Sequence, residues 1–456
     1  MPSGSSRPAF RPSLMFVTLG GLLLVLWLAG GASRGNVPGQ IIVRAAALLA
    51  LVIAIVFGQR PITATARPLW IFLGAAIAIL TIQLLPLPAD IWHGLPGRQF
   101  IGDMPGGDAA GGWQRLSLVP GATVNALAAL VVPLTVLALT TSLRSAERAH
   151  LPGLVLMLAG GAVLLGLLQF SGVGINNPLV NDTPGAVSAT FANRNHFALF
   201  LALGILVIPV WVFQDGGRLQ WRGPTGLSLL LLFMLTILAG GSRAGMAVGS
   251  LAIIIAGMIA FRELRWRMRR APRWMLPTAF AAVTVLLAAF ALFSVAADRA
   301  VSIQRGLSVD VDQDIRSRAF PTVWDMTRTT FPVGSGAGSF DSMFRAYEPD
   351  ALLKPTYFNH AHNDFIEIVL ELGLPGLLLL LAAVAWWAWA SVDAWRNSAR
   401  QRSMLPRLGS AMLLLIMVAS IFDYPARTPF MMAMTMLAGV WLSSRSDENR
   451  TPALPA

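Results

Sequence analysis

Asn359-His360-Ala361-His362-Asn363-Asp364 leads without a break into FIEIVLELGLPGLLLLLAAVAWWAWA (365–390), and this passage decides the fold. Past Glu371 the run holds no charged residue to its end. It exceeds the roughly 17–25 residues that a helix needs to cross the hydrocarbon core of a bilayer, so it reads as a membrane span. Comparable apolar runs recur along the whole chain. We read helices at 14–32, 40–58, 69–87, 122–142, 151–171, 195–214, 226–241, 243–261, 275–296, 363–390, 405–422 and 428–443. The expected fold class is therefore all-α, a polytopic integral membrane protein of about twelve transmembrane helices. A large, partly helical loop separates the ninth helix from the tenth.

Composition agrees. Of 456 residues, 55% are hydrophobic and 12% charged, with a mean hydropathy of +0.65. That is too little charge to cover a soluble protein of this length, and no segment is polar enough to stand as a separate soluble domain. One membrane domain over 1–456 is the economical reading. The net charge of +12 invites nucleic-acid binding, but the arginines sit in short loops between apolar runs, as orientation signals do. Nucleic acid is thereby excluded as the expected partner. Cysteine is absent, so neither a disulfide nor a thiolate ligand is available. The first run follows Arg7 and Arg11 as a signal peptide would. It is long for that purpose, and we read it as a retained helix.

With the N-terminus in the cytoplasm, every second loop is cytoplasmic. Those short connections carry 20 arginines, whereas the opposite side carries 13 Lys and Arg, seven of them in one long loop. Long loops weigh little in the positive-inside rule, so both termini are expected inside. Arg44 lies about a turn within helix 2, where snorkelling explains it. The outer segments 88–121, 172–194 and 297–362 are large and hold nearly all the His, Asp, Asn and Gly that can build a site.

In the longest of them, 314–331 reads as an amphipathic helix, followed by Pro332-Val333-Gly334-Ser335-Gly336-Ala337-Gly338-Ser339-Phe340. Alternate glycines suit either a packing turn or a ligand cradle. Asn363 is the expected N-cap of the next helix, and Asp364 and Glu367 complement its dipole. At about 100° per residue, Asp364, Glu367 and Glu371 share one face. Glu371 either pairs with an arginine as structural glue or serves the chemistry. His360 and His362 form a His-x-His pair without the further ligands that a metal site requires. A metal-free general base is the better reading, because imidazole titrates near neutral pH. Two more stretches lie at outer helix ends: Phe191-Ala192-Asn193-Arg194-Asn195-His196 and Gly240-Gly241-Ser242-Arg243-Ala244-Gly245. Their arginines either anchor helices at lipid phosphates or converge on a diphosphate, which guanidinium forks match in charge and geometry.

These residues together are familiar. The chain resembles the O-antigen ligase and O-antigen polymerase family, bacterial membrane glycosyltransferases that use polyprenyl-diphosphate-linked sugars. The resemblance rests on FANRNHFALF (191–200), the GSRAG turn, the Arg318-to-Trp324 stretch with PVGSGAGSF, and above all HAHNDFIEIVLELGLPG. It is densest over about 190–380, the expected catalytic core.

It implies that His362 is the catalytic base, with His360 as the other ring able to fill that role. Arg194 and Arg243 would hold the lipid diphosphate, Arg318 would contact substrate, and Asp364 or a glutamate of the same helix would orient the base. The implied reaction moves a glycan from an undecaprenyl-diphosphate donor to a hydroxyl of a glycan, lipid A–core or protein acceptor. It would occur at the periplasmic face of the bacterial inner membrane, with inversion and without metal or cofactor. A twelve-helix transporter or lipid-linked-glycan flippase is the alternative. Against it stands the near absence of ionisable residues at helix centres. Trp92, His93 and Trp113 suit either acceptor stacking or interfacial packing.

Overall fold

Hydrocarbon offers no hydrogen-bond partner, so a spanning segment must satisfy its own backbone, and an apolar chain does so as helix. The computed structural model describes residues 11–59, 61, 63–98, 112–181, 186–214, 219–267, 292, 311–353, 358–396 and 404–444. Among them, eight helices are long and apolar enough to cross a membrane, and three shorter apolar helices accompany them.

In chain order the helices longer than five residues are α1 (Leu14–Ala29), α2 (Pro38–Phe57), α3 (Arg67–Gln83), α4 (Pro120–Ala129), α5 (Val131–Ser142), α6 (Leu151–Phe170) and α7 (Arg194–Phe213). They continue with α8 (Leu219–Ala239), α9 (Arg243–Arg267), α10 (Val311–Thr330), α11 (Phe340–Tyr347), α12 (Asp364–Arg396), α13 (Leu405–Phe422) and α14 (Pro429–Ser443). Eleven of the spans read from the sequence fall on these helices. The span expected at 275–296 lies outside the described residues, position 292 excepted.

The bundle is built around α7. From Phe197 to Val210 its sequence FALFLALGILVIPV carries no polar side chain, and every one of those residues is buried. Helix association in lipid relies on close packing rather than on water exclusion, which places small residues at the contacts. Gly204 does this against α8, where a Cβ would stand 2.7 Å from the Phe233 ring. Gly245 does it on α9, where a Cβ would stand 2.4 Å from Ala198. At one end of the bundle Phe191, Phe197, Phe200 and Phe430 close the core, with ring centroids 4.8 to 6.2 Å apart.

Helix ends are sorted by direct bonds. Gly30 O accepts from Phe430 N (3.1 Å) and Gly31 O from Ala192 N (3.1 Å), which join the end of α1 to the starts of α14 and α7. At the other end, Ser13 N donates to Glu147 Oε1 at 2.7 Å. Arg44 departs from the snorkelling expected of it. It donates to Asn125 Oδ1 (2.8 Å) and Gln40 Oε1 (3.4 Å), so it ties α2 to α4.

α12 is not one straight helix. At Gly373 the backbone takes φ 61° and ψ −144°. The break frees carbonyls that the glycine string captures: Ser335 N donates to Leu370 O and Gly336 N to Glu371 O, both at 2.9 Å. In return Leu374 N donates to Pro332 O at 2.8 Å. Gly334, Gly336 and Gly338 take φ of 84°, 108° and 76°, conformations that side chains resist. The packing-turn reading of this string is therefore the one the structure shows.

Gln83 of α3 joins the same joint, giving its amide to Glu371 O (2.8 Å) and accepting from Ala337 N (2.9 Å). Arg98 is wholly buried beside it and donates to Gly334 O (2.9 Å) and Leu116 O (2.6 Å). Burial lowers its pKa to about 10. Trp92 is 5% exposed and gives its indole N–H to Arg115 O, so it packs rather than offering a stacking face, whereas Trp113 is 68% exposed.

A Cβ at Gly373 would lie 2.1 Å from Pro332 O. Gly373→Ala is expected to destabilise the protein by at least about 1–3 kcal/mol from backbone strain alone. Thermal unfolding of the purified protein in detergent measures this, and an unchanged midpoint would remove the joint's structural importance.

Candidate functional site

The polar residues gather at the bundle end where α7, α9, α12 and α14 begin and where α1 and α13 finish. Asn363 caps α12 as expected, its Oδ1 accepting from Phe365 N (3.0 Å) and Ile366 N (3.2 Å). Its Nδ2 donates to Ile421 O (3.1 Å), which fixes the start of α12 against the end of α13. His362, just before the cap, takes φ 52°, a left-handed conformation that only firm surroundings maintain in a residue with a side chain.

Those surroundings centre on Asp423, in the turn DYPAR (423–427) between α13 and α14. Its buried carboxylate meets His362 Nδ1 at 3.3 Å and Tyr424 N at 3.1 Å through Oδ1. Oδ2 accepts from Asn193 Nδ2 (2.8 Å) and Asn195 Nδ2 (2.7 Å). His196 Nε2 stands 3.8 Å from Oδ1, and neither of its ring nitrogens has a hydrogen-bond partner among the described residues.

Burial alone would raise the Asp423 carboxyl, but His196 and His362 beside it hold it well below the usual carboxylate range. Burial pushes His362 below the usual imidazole value, Asp423 opposes this, and Arg316 and His360 reinforce it. Near neutral pH the pair is then a carboxylate and a neutral imidazole. With Nδ1–H donated to Asp423, the lone pair on Nε2 remains to accept a proton.

A second cluster lies alongside. Arg427 meets Asp364 Oδ1 (3.2 Å), Glu367 Oε1 (3.2 Å) and Glu371 Oε2 (3.0 Å), so the three carboxylates that share a face of α12 converge on one guanidinium. Burial by itself would lower the Arg427 pKa, yet these carboxylates raise it further above its ordinary value. Ser420 donates to Asp364 Oδ2 at 2.8 Å. Glu371 is thus paired with an arginine, as one of its two readings anticipated, and that arginine stands on the turn before α14. The expectation that Asp364 or a glutamate orients His362 is corrected: Asp423 holds that ring, and Glu367 holds His360.

His360 has both nitrogens engaged, Nδ1 with Glu367 Oε1 at 2.8 Å and Nε2 with Ser33 Oγ at 3.0 Å. Glu367 also accepts from Ala361 N at 2.7 Å, which sets the turn between the two histidines. The rings of His360 and His362 pack on one side chain, Tyr424, with centroids 4.3 and 4.9 Å away. Burial and the neighbouring Asp423 raise the Tyr424 phenol to about 12, so it stays protonated.

Arg194 and Arg243 are the first residues of α7 and α9, and both are exposed. Ser242 Oγ donates to Asn195 Oδ1 at 2.6 Å, so the two helix starts are bound to each other and, through Asn195, to Asp423. Two positive helix ends, each beginning with an arginine, therefore lie side by side. Arg318 is exposed and donates to Ala351 O at 3.3 Å. The loop arginine that interacts electrostatically with His362 and Tyr424 is Arg316, which donates to Phe422 O at 3.5 Å.

Sequence reading missed Asp423, Arg427, Arg316 and Ser33. For the first two a signal existed, since they are the only charged residues between Arg407 and Arg445. Among the described residues, no group of three or more His, Cys, Asp or Glu is arranged to hold a metal ion.

Fold and site together define a multi-pass membrane protein with an imidazole–carboxylate pair and several cations at one end. Residues 227–381 match the family described as O-antigen ligase, which shows the resemblance read from the sequence. The match contains Arg243, the glycine string, both histidines and the start of α12. It begins after Arg194 and stops before Asp423. The chain is also similar to the exopolysaccharide production protein ExoQ of Rhizobium meliloti (strain 1021), 24% identical over 235 residues. That alignment covers 49% of this chain and 50% of the relative, so the chain spans about half the length of the curated protein it matches.

Removing the guanidinium at the second cluster leaves three carboxylates facing one another. Arg427→Ala is expected to cost about 3–5 kcal/mol, the usual result of breaking a buried ion pair from one side. A melting temperature equal to that of the unaltered protein would contradict this.

Proposed function

We propose that this protein transfers a glycan from an undecaprenyl-diphosphate-linked donor to an acceptor hydroxyl. The site would face the periplasm from the inner membrane, as in O-antigen ligation or polysaccharide polymerisation. The observation that carries the reading is the His362–Asp423 pair beside the joined N-termini of α7 and α9, each of which begins with an arginine. The O-antigen ligase match and the arginine asymmetry between the two ends of the bundle support it as well.

The donor is already activated, because the diphosphate carries off the bonding electrons readily. Arg194, Arg243 and the two helix dipoles hold that anion and stabilise the charge it gains as it departs. The acceptor hydroxyl gives its proton to His362 Nε2 as its oxygen bonds to the anomeric carbon, and the carbon–oxygen bond to the diphosphate breaks. Asp423 stabilises the imidazolium that results. Attack opposite the leaving group inverts the anomeric centre, and no step calls for a metal ion. Arg316 adds positive charge on the loop side of the base, and Arg318 remains a candidate for substrate contact.

A coupled transporter is the competing class. The buried charged residues described, Arg98, Glu147, Asp364, Glu367, Glu371, Arg407 and Asp423, lie in connections or close to helix ends. That distribution favours an end-of-bundle enzyme over an ion-coupled site at the midplane.

Purified protein given polyprenyl-diphosphate-linked glycan and candidate acceptors in EDTA is expected to transfer the glycan. His362→Ala should lower the rate by about 10²- to 10⁴-fold while the protein stays folded. Transfer at the normal rate in that variant would end the general-base role, and no donor turnover by folded wild-type protein would favour the transporter. Arg194→Ala should raise the donor KM; an unchanged value would reduce Arg194 to an interfacial anchor.

The acid limb of kcat/KM has a defined sign. The base acts when neutral, and its pKa is depressed, so activity should persist below the ordinary imidazole range of about 6.5 and fall only at lower pH. Asp423→Asn removes the group that opposes this depression. The limb should then move lower still as the maximal rate drops, and a shift to higher pH would contradict the assignment.

A further inference from the structure

Two imidazoles at this site share one design, and the proposed reaction uses only one of them. His362 places Nδ1 on Asp423, and His360 places Nδ1 on Glu367, whose side chain is fully buried. Both rings rest on Tyr424. They differ at Nε2. In His360 that atom already meets a hydroxyl, Ser33 Oγ at 3.0 Å, which reaches across from the turn between α1 and α2. A serine hydroxyl bonded to an imidazole reproduces the contact that a sugar hydroxyl would make there. Ser33 and His360 are both only partly buried, so a ligand has access to the pair.

We infer that Ser33 and His360 form a hydroxyl-binding subsite for the acceptor, holding the ring hydroxyl next to the one that attacks. The acceptor class is therefore a sugar with adjacent free hydroxyls, a glycan rather than a lone serine or threonine side chain. The hydroxyl at His362 Nε2 loses its proton, while its neighbour keeps its own, bonds to the Ser33 hydroxyl that His360 Nε2 holds, and fixes the angle of attack.

This assignment explains why two acid-backed histidines occur two residues apart. It also gives Glu367 a purpose beyond pairing with Arg427, because the Glu367 contact fixes which edge of His360 faces Ser33. Discrimination of this kind is strong, since a site built around a hydroxyl leaves its own polar groups unpaired when that hydroxyl is missing.

The inference rests on the proposed glycan transfer, and two measurements separate their fates. The first is donor-free binding of a methyl glycoside with vicinal hydroxyls to the purified full chain, followed by saturation-transfer NMR beside its monodeoxy analogue. Wild-type protein should bind the diol and lose most of the signal with the deoxy sugar. Ser33→Ala and His360→Gln should bind the two alike. Equal binding of both sugars by the wild type would overturn the inference, whatever transfer assays give. The expected binding pattern without any transfer would overturn the proposed reaction alone.

The second is steady-state transfer with the same acceptors. His360→Gln should raise the acceptor KM at least about tenfold, with the acid limb of the pH profile moving only slightly, and toward higher pH, because His360 no longer helps to depress His362. If kcat collapsed at unchanged KM, or if a serine peptide proved as good an acceptor as the glycan, the subsite would be ruled out.

Discussion

The carboxylate of Asp423 sits buried among the ends of apolar helices, where an unpaired charge costs several kilocalories per mole. Everything polar nearby relieves that cost. Two asparagines from the start of α7, one histidine from each of α7 and the α12 approach, and the next backbone N–H all turn toward it. Because these donors come from separate helices, satisfying one carboxylate brings the helices together at one end of the bundle. The geometry of His362 follows from the same requirement. His362 accepts an unfavourable backbone conformation, and its bond to Asp423 is part of what holds it there. A structural necessity and the proposed chemical role thus share one interaction.

The second polar cluster works in the opposite sense. There the excess is negative, three carboxylates around Arg427, and the glutamate between them carries His360. Its position depends on the break in α12, since Glu371 lies two residues before Gly373 and its carbonyl is claimed by the glycine string and Gln83. The joint therefore couples the long loop before α12 to the helix that follows both histidines. Rigid support of this sort is what a site needs when its working groups stand on connections rather than on regular structure.

Much of this was legible in the sequence, and the limits have physical causes. Membrane helices declare themselves through apolar length alone, and the cap at Asn363 follows from local chemistry, so both were readable. The histidine pair and the two helix-starting arginines were visible because uncommon polar residues stood out against an apolar background. Alternate glycines could not reveal that they splint a broken helix, because the break depends on bonds across forty residues. The partners of the histidines were hidden for a similar reason. Periodicity placed Asp364, Glu367 and Glu371 on one face correctly, yet it could not say that Arg427 occupies that face and leaves Asp423 to reach His362. Likewise Arg316 and Arg318 differ only by helix rotation relative to neighbours that the sequence does not locate.

The separation along the chain between His362 and Asp423, 61 positions, has a consequence for biosynthesis. A ribosome adding about 5–20 residues per second delivers the histidine roughly 3–12 s before its carboxylate. Through that interval the imidazole has no anion behind it, and the donors of α7 have nothing to gather around. The polar cluster is thus incomplete while the earlier helices are being made. The pair is complete only with the hairpin of α13 and α14, so the last helices made close a cluster that the earlier ones begin.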